Sequence, residues 1–119
     1  MSQPVVTPQM IEMRLKQLSK EVDESYTDLA NAEREYFEVK AKYELALAHG
    51  RLSLIGQATQ RLTVSDKADT ALVSTQDLHL KMAAAEALVR AARANAQRVR
   101  TQVDIARSIG TSVRTSMEL

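Results

Sequence analysis

Apolar residues recur along this chain in alternating steps of four and three, the spacing that puts them on one face of an α-helix. We call this row of positions the seam. In the first half of the chain the seam comprises Ile11, Leu15, Leu18, Val22, Ser25, Leu29, Ala32, Tyr36, Val39, Tyr43 and Ala46. In the second half it comprises Val64, Ala68, Ala71, Thr75, Leu78, Met82, Ala85, Val89, Ala92, Ala96, Val99, Val103, Ala106, Gly110, Val113 and Met117. The pattern predicts an all-α fold of two long helices.

The ends of the first helix are marked by a capping residue and by glycine. Thr7 followed by Pro8 is typical of a helix start, because Thr caps the helix and Pro is tolerated in its first turn. Gly50 and Gly56 both offer a place for the helix to end. We therefore expect the first helix over about 8–50 and a turn over about 50–63.

The second helix is expected over about 64–117, where the seam runs without a charged residue. Thr63 and Asp66 resemble a capping box, and Ser65 is an alternative cap. Two long helices joined by a short turn are expected to lie antiparallel. The sequence thus predicts one helical-hairpin domain over residues 1–119, coiled-coil-like in its packing.

A second apolar strip lies off the seam of the second helix and predicts self-association. Seven of the sixteen seam positions of that helix are Ala or Gly, so the seam removes little apolar area from water and a lone hairpin is expected to be marginally stable. The strip consists of Leu72, Leu80, Ala84, Leu88, Ala91, Ile105 and Ile109. We expect its large members, Leu72, Leu80, Leu88, Ile105 and Ile109, to form a homo-oligomer interface. The alternative is that they are scattered exposed aliphatic residues without a role.

The composition indicates the cellular compartment and whether the chain can enter a membrane. The chain has no cysteine, which excludes disulfides and thiolate zinc sites. Its longest uncharged run, 2–11, is too short to span a bilayer and contains two prolines, so it does not resemble a signal peptide either. We therefore expect a soluble, cytoplasmic protein with no membrane partner.

Candidate catalytic chemistry is sparse. His49 and His79 stand thirty residues apart, and neither has a second histidine at metal-ligand spacing. There is no glycine-rich phosphate loop and no nucleophile motif. The carboxylates lie on helix faces that we expect to be solvated, without an enclosed pocket to shift their pKa values. We expect no enzyme activity, no metal and no cofactor.

Charge is distributed unevenly, although sixteen basic and fifteen acidic residues nearly cancel. Residues 12–44 carry nine acids and six bases, whereas residues 87–117 carry six arginines and one aspartate. Four of these arginines are spaced by seven, each directly after a seam residue, and form a stripe: Arg93, Arg100, Arg107 and Arg114. They pair with acids of the first helix, across the hairpin or across a subunit boundary, or they form a track for nucleic-acid phosphates, and both can hold at different positions. The acids concerned are Glu12, Glu21, Asp28 and Glu35. The sequence leaves both interpretations open.

The four aromatic residues fall within eighteen residues of the first helix: Tyr26, Tyr36, Phe37 and Tyr43. Because Tyr36 and Tyr43 are seam positions, we expect them to be buried against the partner helix. Tyr26 and Phe37 lie off the seam and are better candidates for a contact surface, where aromatic rings beside cations could stack on bases.

The segment Val39, Lys40, Ala41, Lys42, Tyr43, Glu44, Leu45 resembles the LKARL-type motif of UvsY-like bacteriophage recombination mediators. The segment Val64, Ser65, Asp66, Lys67 is similar to the opening of the later helices in that family, and the likeness extends over roughly residues 30–115. The resemblance implies a helical hairpin that forms a ring-like homo-oligomer and binds single-stranded DNA in the host cell cytoplasm. It further implies a RecA-like recombinase and a single-strand-binding protein as partners. Lys42 stands where the family has Arg, which keeps the charge but loses the planar fork.

Two functional hypotheses follow. The first is a recombination mediator that grips single-stranded DNA through Lys40 and Lys42, assisted by Arg51, Arg61 or the arginine stripe. The second is a structural or adaptor coiled coil, for phage assembly or for binding a host protein, in which the charges set partner choice and no DNA is bound.

Overall fold

The structure, a computed structural model, describes residues 5–56, 73 and 75–118. Two helices account for nearly all of them: α1 spans Pro8–Gly56 over 49 residues, and α2 spans Gln76–Glu118 over 43 residues. The described residues contain no strand. The predicted all-α helical hairpin is therefore confirmed as the fold class.

The start of α1 lies where the sequence predicts it, at Pro8. The hydroxyl oxygen of Thr7 accepts a hydrogen bond from the backbone N–H of Met10 at 3.2 Å, and the Thr7 carbonyl accepts one from Ile11 at 3.2 Å. The capping side chain thus satisfies a donor that the first helical turn would otherwise leave unpaired.

The end of α1 lies beyond the predicted position. The helix continues through Gly50 to Gly56, and no described glycine has a positive φ. Gly50 comes four residues after the seam residue Ala46 and is half-buried, so it extends the seam. A glycine inside a helix costs only about 1 kcal/mol relative to Ala, which packing along a long helix offsets.

The predicted start of the second helix near residue 64 lies outside the described residues, and α2 as described begins at Gln76. Thr75, expected to lie inside a helix beginning near residue 64, is a turn residue directly before Gln76. Its carbonyl accepts a hydrogen bond from the N–H of His79 at 3.0 Å, as a residue at a helix cap does. Thr75 is nevertheless buried, in keeping with its place on the seam. The predicted turn after Gly56 and the cap at Thr63 and Asp66 lie outside the described residues.

Contacts divide the chain into two compact units, each built from a segment of both helices. Unit 1 comprises Met1–Ala30 and Ala91–Leu119, and unit 2 comprises Asn31–Arg90. Within unit 1 the two segments run antiparallel, because contacts near the start of α1 reach the end of α2. Ile11 lies against Gly110, whereas Tyr26, further along α1, contacts Arg100.

The seam forms the core of both units, as the sequence predicts. In unit 1, Leu18 and Val99 are almost wholly enclosed, at 1% and 2% exposure, and Ala106 is buried beside them. In unit 2 the buried apolar residues are Ala85 and Val89. Every described seam residue is buried or half-buried except Met117, which is 68% exposed near the end of α2.

The second apolar strip is exposed within the single chain. In unit 2, Leu80 and Leu88 are exposed, and in unit 1 Ile105 and Ile109 are exposed. Leu72 lies outside the described residues. Exposure is a requirement for the predicted homo-oligomer interface, which itself stays a prediction.

Neither described helix has an apolar stretch of the length needed to cross a bilayer.

Candidate nucleic-acid interface

The four arginines of the stripe lie in unit 1 and are all exposed: Arg93, Arg100, Arg107 and Arg114. They occupy equivalent positions on successive heptads of α2, so neighbours are separated by about 10.5 Å along the helix axis. Together they span about 30 Å of one helix edge. This spacing is regular because the helix is uninterrupted over the whole stretch.

Three α1 residues of unit 1 stand at the same edge as the arginines. Glu12, Ser19 and Tyr26 each directly follow a seam residue, as the arginines do. Ser19 and Tyr26 line one groove with Arg100 and Arg107, while Glu12 lines another with Arg107 and Arg114. We call these seven residues the arginine edge: Glu12, Ser19, Tyr26, Arg93, Arg100, Arg107 and Arg114.

The other acids proposed as pairing partners lie elsewhere. Glu21 and Asp28 follow Arg14 at intervals of seven, and the Arg14 guanidinium donates a hydrogen bond to the side-chain oxygen of Gln102 at 3.2 Å. Gln102 precedes the seam residue Val103, so this row marks the opposite edge of the helix pair. Glu21 and Asp28 are therefore on the wrong side of the hairpin for the arginines of unit 1. Glu35 belongs to unit 2.

Arg100, Arg107 and Arg114 are not neutralised by Glu12, the acid of the arginine edge. In the described part of unit 1, none of Arg100, Arg107 and Arg114 forms an ion pair with Glu12. Arg114 donates from Nε to the carbonyl of Gly110 at 3.4 Å, a contact that leaves its charge unpaired. The arginine edge therefore carries four exposed arginines and one glutamate, and Asp23 and Asp104 lie beside Arg100 and Arg107.

Tyr26 is the aromatic residue of the arginine edge. The Arg100 guanidinium lies over its ring, with the guanidinium carbon 5.7 Å from the ring centre, and donates a hydrogen bond to its hydroxyl oxygen. The tyrosine side chain is still 44% exposed. Tyr26 thus lies off the seam and is exposed, as the sequence predicts. Its role in a contact surface stays a prediction.

Tyr26 and Arg100 border a groove of about 490 Å³ in unit 1. Its floor and walls are formed by Leu15, Ser19, Val22, Asp23, Tyr26, Ala96, Arg100, Val103, Asp104 and Arg107. Two carboxylates, Asp23 and Asp104, share the groove with two guanidinium groups. The groove can thus offer hydrogen-bond donors, acceptors and one aromatic surface within a single site.

The predicted DNA contacts on α1 fall on different sides of the helix. Lys40 is half-buried and Lys42 is exposed. Two residues in a helix are separated by about 200° around its axis, so the lysines flank the seam on opposite edges. A strand lying along one edge would contact only one of them. Arg51 is exposed in α1, and Arg61 lies outside the described residues.

The remaining aromatic rings follow the seam. Tyr36 and Tyr43 are half-buried, as their seam positions predict, and the Tyr43 ring lies 5.3 Å from the ring of His79. Phe37 is 61% exposed and contacts the ring of Tyr36 at 5.5 Å between centres. Phe37 is therefore exposed on the outside of α1 in unit 2, apart from any described arginine row.

The arginine stripe and the exposed Tyr26 could both be predicted from the sequence, but the contact between Tyr26 and Arg100 was not predicted. The pattern contained the information: Tyr26 and Arg100 each follow a seam residue, and in an antiparallel pair such positions share an edge.

Among the described residues no group of three His, Asp or Glu side chains could hold a metal ion. Comparisons with models of protein families, with curated proteins and with solved structures find no match for this chain.

Proposed function

We propose that this protein binds single-stranded DNA along the arginine edge of unit 1 and acts as a recombination mediator. The observation that carries the proposal is the row of four exposed arginines that lie one heptad apart on one edge of α2. Guanidinium groups held at regular spacing along a rod match the repeating phosphates of a nucleic-acid backbone and require no base sequence.

The spacing fits a strand of nucleic acid. An interval of about 10.5 Å between arginines corresponds to roughly three phosphates at 3.4 Å each in a B-form strand. A single strand is flexible enough to adjust to this interval. One hairpin would therefore hold a strand of about ten nucleotides at four points, weakly at each, and copies of the hairpin would multiply the affinity.

The mediator role rests on the resemblance of residues 39–45 to the UvsY-like motif. A protein that holds single-stranded DNA weakly at many points can keep it accessible while a RecA-like recombinase replaces a single-strand-binding protein. Weak contacts suit this role because they can be released one at a time.

Another observation favours the adaptor hypothesis as a second candidate. The outer side of α1 in unit 2 carries an exposed apolar row at steps of four, four, three and four: Phe37, Ala41, Leu45, Ala48 and Leu52. Rows of this kind bind partner helices. In this alternative the arginines serve only to select a protein partner, and DNA is not bound.

The two functions differ in their response to salt. We expect fluorescence anisotropy of labelled oligo-dT to show binding that weakens as salt rises, because phosphate contacts release counterions. Four phosphate contacts give a slope of about −2.8 in log K against log salt, or roughly a 50-fold loss of affinity between 50 and 200 mM salt. Absence of binding near 50 mM salt would favour the adaptor.

A charge-matched pair of variants locates the site. Arg100→Gln with Arg107→Gln removes two charges from the arginine edge and should reduce the slope to about −1.4 per hairpin. Arg14→Gln with Arg98→Gln removes the same charge from unit 1 away from that edge, and should leave the slope nearly unchanged. Equal losses in both variants would mean that only net charge matters, which would reject the arginine edge as the binding site.

The lysine site is tested in the same assay. Because Lys40 and Lys42 flank the seam on opposite edges, Lys40→Ala and Lys42→Ala should have unequal effects on oligo-dT affinity. Equal and large effects would require a strand that wraps around the hairpin, in contradiction to binding along one edge.

A further inference from the structure

We propose that the groove beside Tyr26 receives one unpaired nucleobase of the bound strand, with the base stacked on the Tyr26 ring and the flanking phosphates held by Arg100 and Arg107. This inference rests on the proposed function and deepens it, because it assigns the arginine edge a preference for single strands over duplexes. Four features of unit 1 support it: the size of the groove, the exposure of the ring, the position of the arginines and the location of the carboxylates.

The groove has room for a base because small side chains line it. Ser19 and Ala96, two short side chains from opposite helices, are among its lining residues. The resulting volume of about 490 Å³ is within the range of small-molecule sites. Its lower part is apolar, formed by Leu15, Val22 and Val103, and apolar walls favour the flat faces of a base over water.

The Tyr26 ring is prepared for stacking. The Arg100 guanidinium lies over the ring, and the side chain remains 44% exposed, so ring surface is left for a second stacking partner. A base on that surface would complete a stack of guanidinium, phenol ring and base. Aromatic stacking of this kind is tolerant of sequence, because every base presents a π-face.

The charged groups distinguish the base from its phosphates. Asp23 and Asp104 line the groove and repel a phosphate that enters it. Arg100 and Arg107, also at the groove, attract the phosphates on either side of the base. Their separation of about 10.5 Å along α2 spans roughly three phosphates, so the base in the groove belongs to the short stretch of strand held between the two arginines. A duplex cannot bind in this way, because its bases are already stacked and paired.

A single tryptophan reports directly on the groove, because the natural chain has none. We expect the Trp fluorescence of Tyr26→Trp to be quenched when oligo-dT is added, and to remain unquenched with an abasic oligomer of equal length and charge. Phe37→Trp, an exposed aromatic position in unit 2, is the matched control and should respond to neither. Quenching of the control alone, or of both variants equally, would overturn the assignment of the groove.

The affinities of Tyr26 variants for oligo-dT and for the abasic oligomer provide a second test. Tyr26→Leu should lower the affinity for oligo-dT about tenfold and change that for the abasic oligomer less than twofold, whereas Tyr26→Phe should retain both. Circular dichroism of each variant establishes that the helices are intact. If Tyr26→Leu lost its helices, the quenching of Tyr26→Trp would decide the question on a folded chain.

The outcomes separate this inference from the proposed function. Wild-type protein that binds neither oligomer contradicts the proposed function. Wild-type protein that binds oligo-dT, abasic oligomer and duplex equally, with salt dependence carried by the arginines, leaves the proposed function standing and overturns the base site. Equal binding of a poly-glutamate peptide at the same groove would show that the site takes acidic chains in general, which also overturns the base site.

Discussion

Gly110 is a point of close contact between the two helices of unit 1, and its replacement tests their packing directly. An ideal Cβ atom placed on Gly110 would lie 3.2 Å from the Cγ2 methyl of Ile11. Ordinary van der Waals contacts of this kind begin near 3.4 Å, so the methyl must move by a few tenths of an ångström. The residue has helical dihedrals without a positive φ, so alanine introduces no backbone strain.

Two opposing terms determine the effect of Gly110→Ala on the free energy of unfolding. Replacing a helix-interior glycine with alanine contributes about 1 kcal/mol of stability. The crowding of Ile11 opposes this, but Ile11 is half-buried, lies in the first turns of α1 and borders two open grooves into which it can shift. We therefore estimate the crowding at about 0.5 kcal/mol and expect a net stabilisation of about 0.5 kcal/mol.

Urea unfolding followed by circular dichroism, at one fixed protein concentration, measures the change as a shift in midpoint with constant slope. Ala94→Gly, at an exposed position of the same helix, is the control that gives the glycine cost without crowding. Gly110→Val adds branched volume and should destabilise by about 1–3 kcal/mol. Destabilisation of 1 kcal/mol or more by Gly110→Ala itself would refute the reasoning, since it would mean that Ile11 is held rigidly.

Two further predictions concern the core and the groove. Leu18→Ala should destabilise the protein by about 2–5 kcal/mol, because Leu18 is 1% exposed and few other large side chains are fully buried; a urea midpoint close to that of the wild type would contradict its central role. Asp23→Asn with Asp104→Asn should raise the affinity for oligo-dT at about 50 mM salt, because two like charges are removed near the phosphates; a loss of affinity would indicate that the carboxylates contact the bases directly.

The buried seam of this fold could be predicted from the sequence, whereas the ends of the helices could be predicted only in part. The seam was predicted residue by residue, because burial in a long amphipathic helix follows its period, and even polar Ser25 is buried there. Its hydroxyl is satisfied by the carbonyl of Val22 in the preceding turn at 2.8 Å. The start of α1 at Pro8 was predicted, but the continuation of α1 past Gly50 and the turn at Thr75 were not. Gly50 and Thr75 both keep the period of the seam, so the pattern alone cannot distinguish a residue inside a helix from one at its cap.

The arginine stripe of the candidate site was predicted from the sequence, but the α1 residues that lie beside it were not. The spacing of the arginines revealed their stripe, since a repeat of seven is visible within one helix. Which edge of α1 faces them depends on how the two helices align, and that alignment joins residues such as Tyr26 and Arg100 that are 74 positions apart. Pairing of the arginines with Glu21 and Asp28 within one hairpin is excluded for this reason, because those carboxylates belong to the other edge.

The close contact of Ile11 with Gly110 also bears on how the hairpin avoids misalignment. A repeating row of alanine and valine offers many nearly equivalent ways to dock, and sliding α2 by one heptad would keep small apolar residues in contact over most of unit 1. Such a slip would bring Val103 or Met117 opposite Ile11. Both side chains are much larger than the single methyl group that Ile11 can accommodate by shifting, so either slip would crowd Ile11 and the observed alignment is favoured.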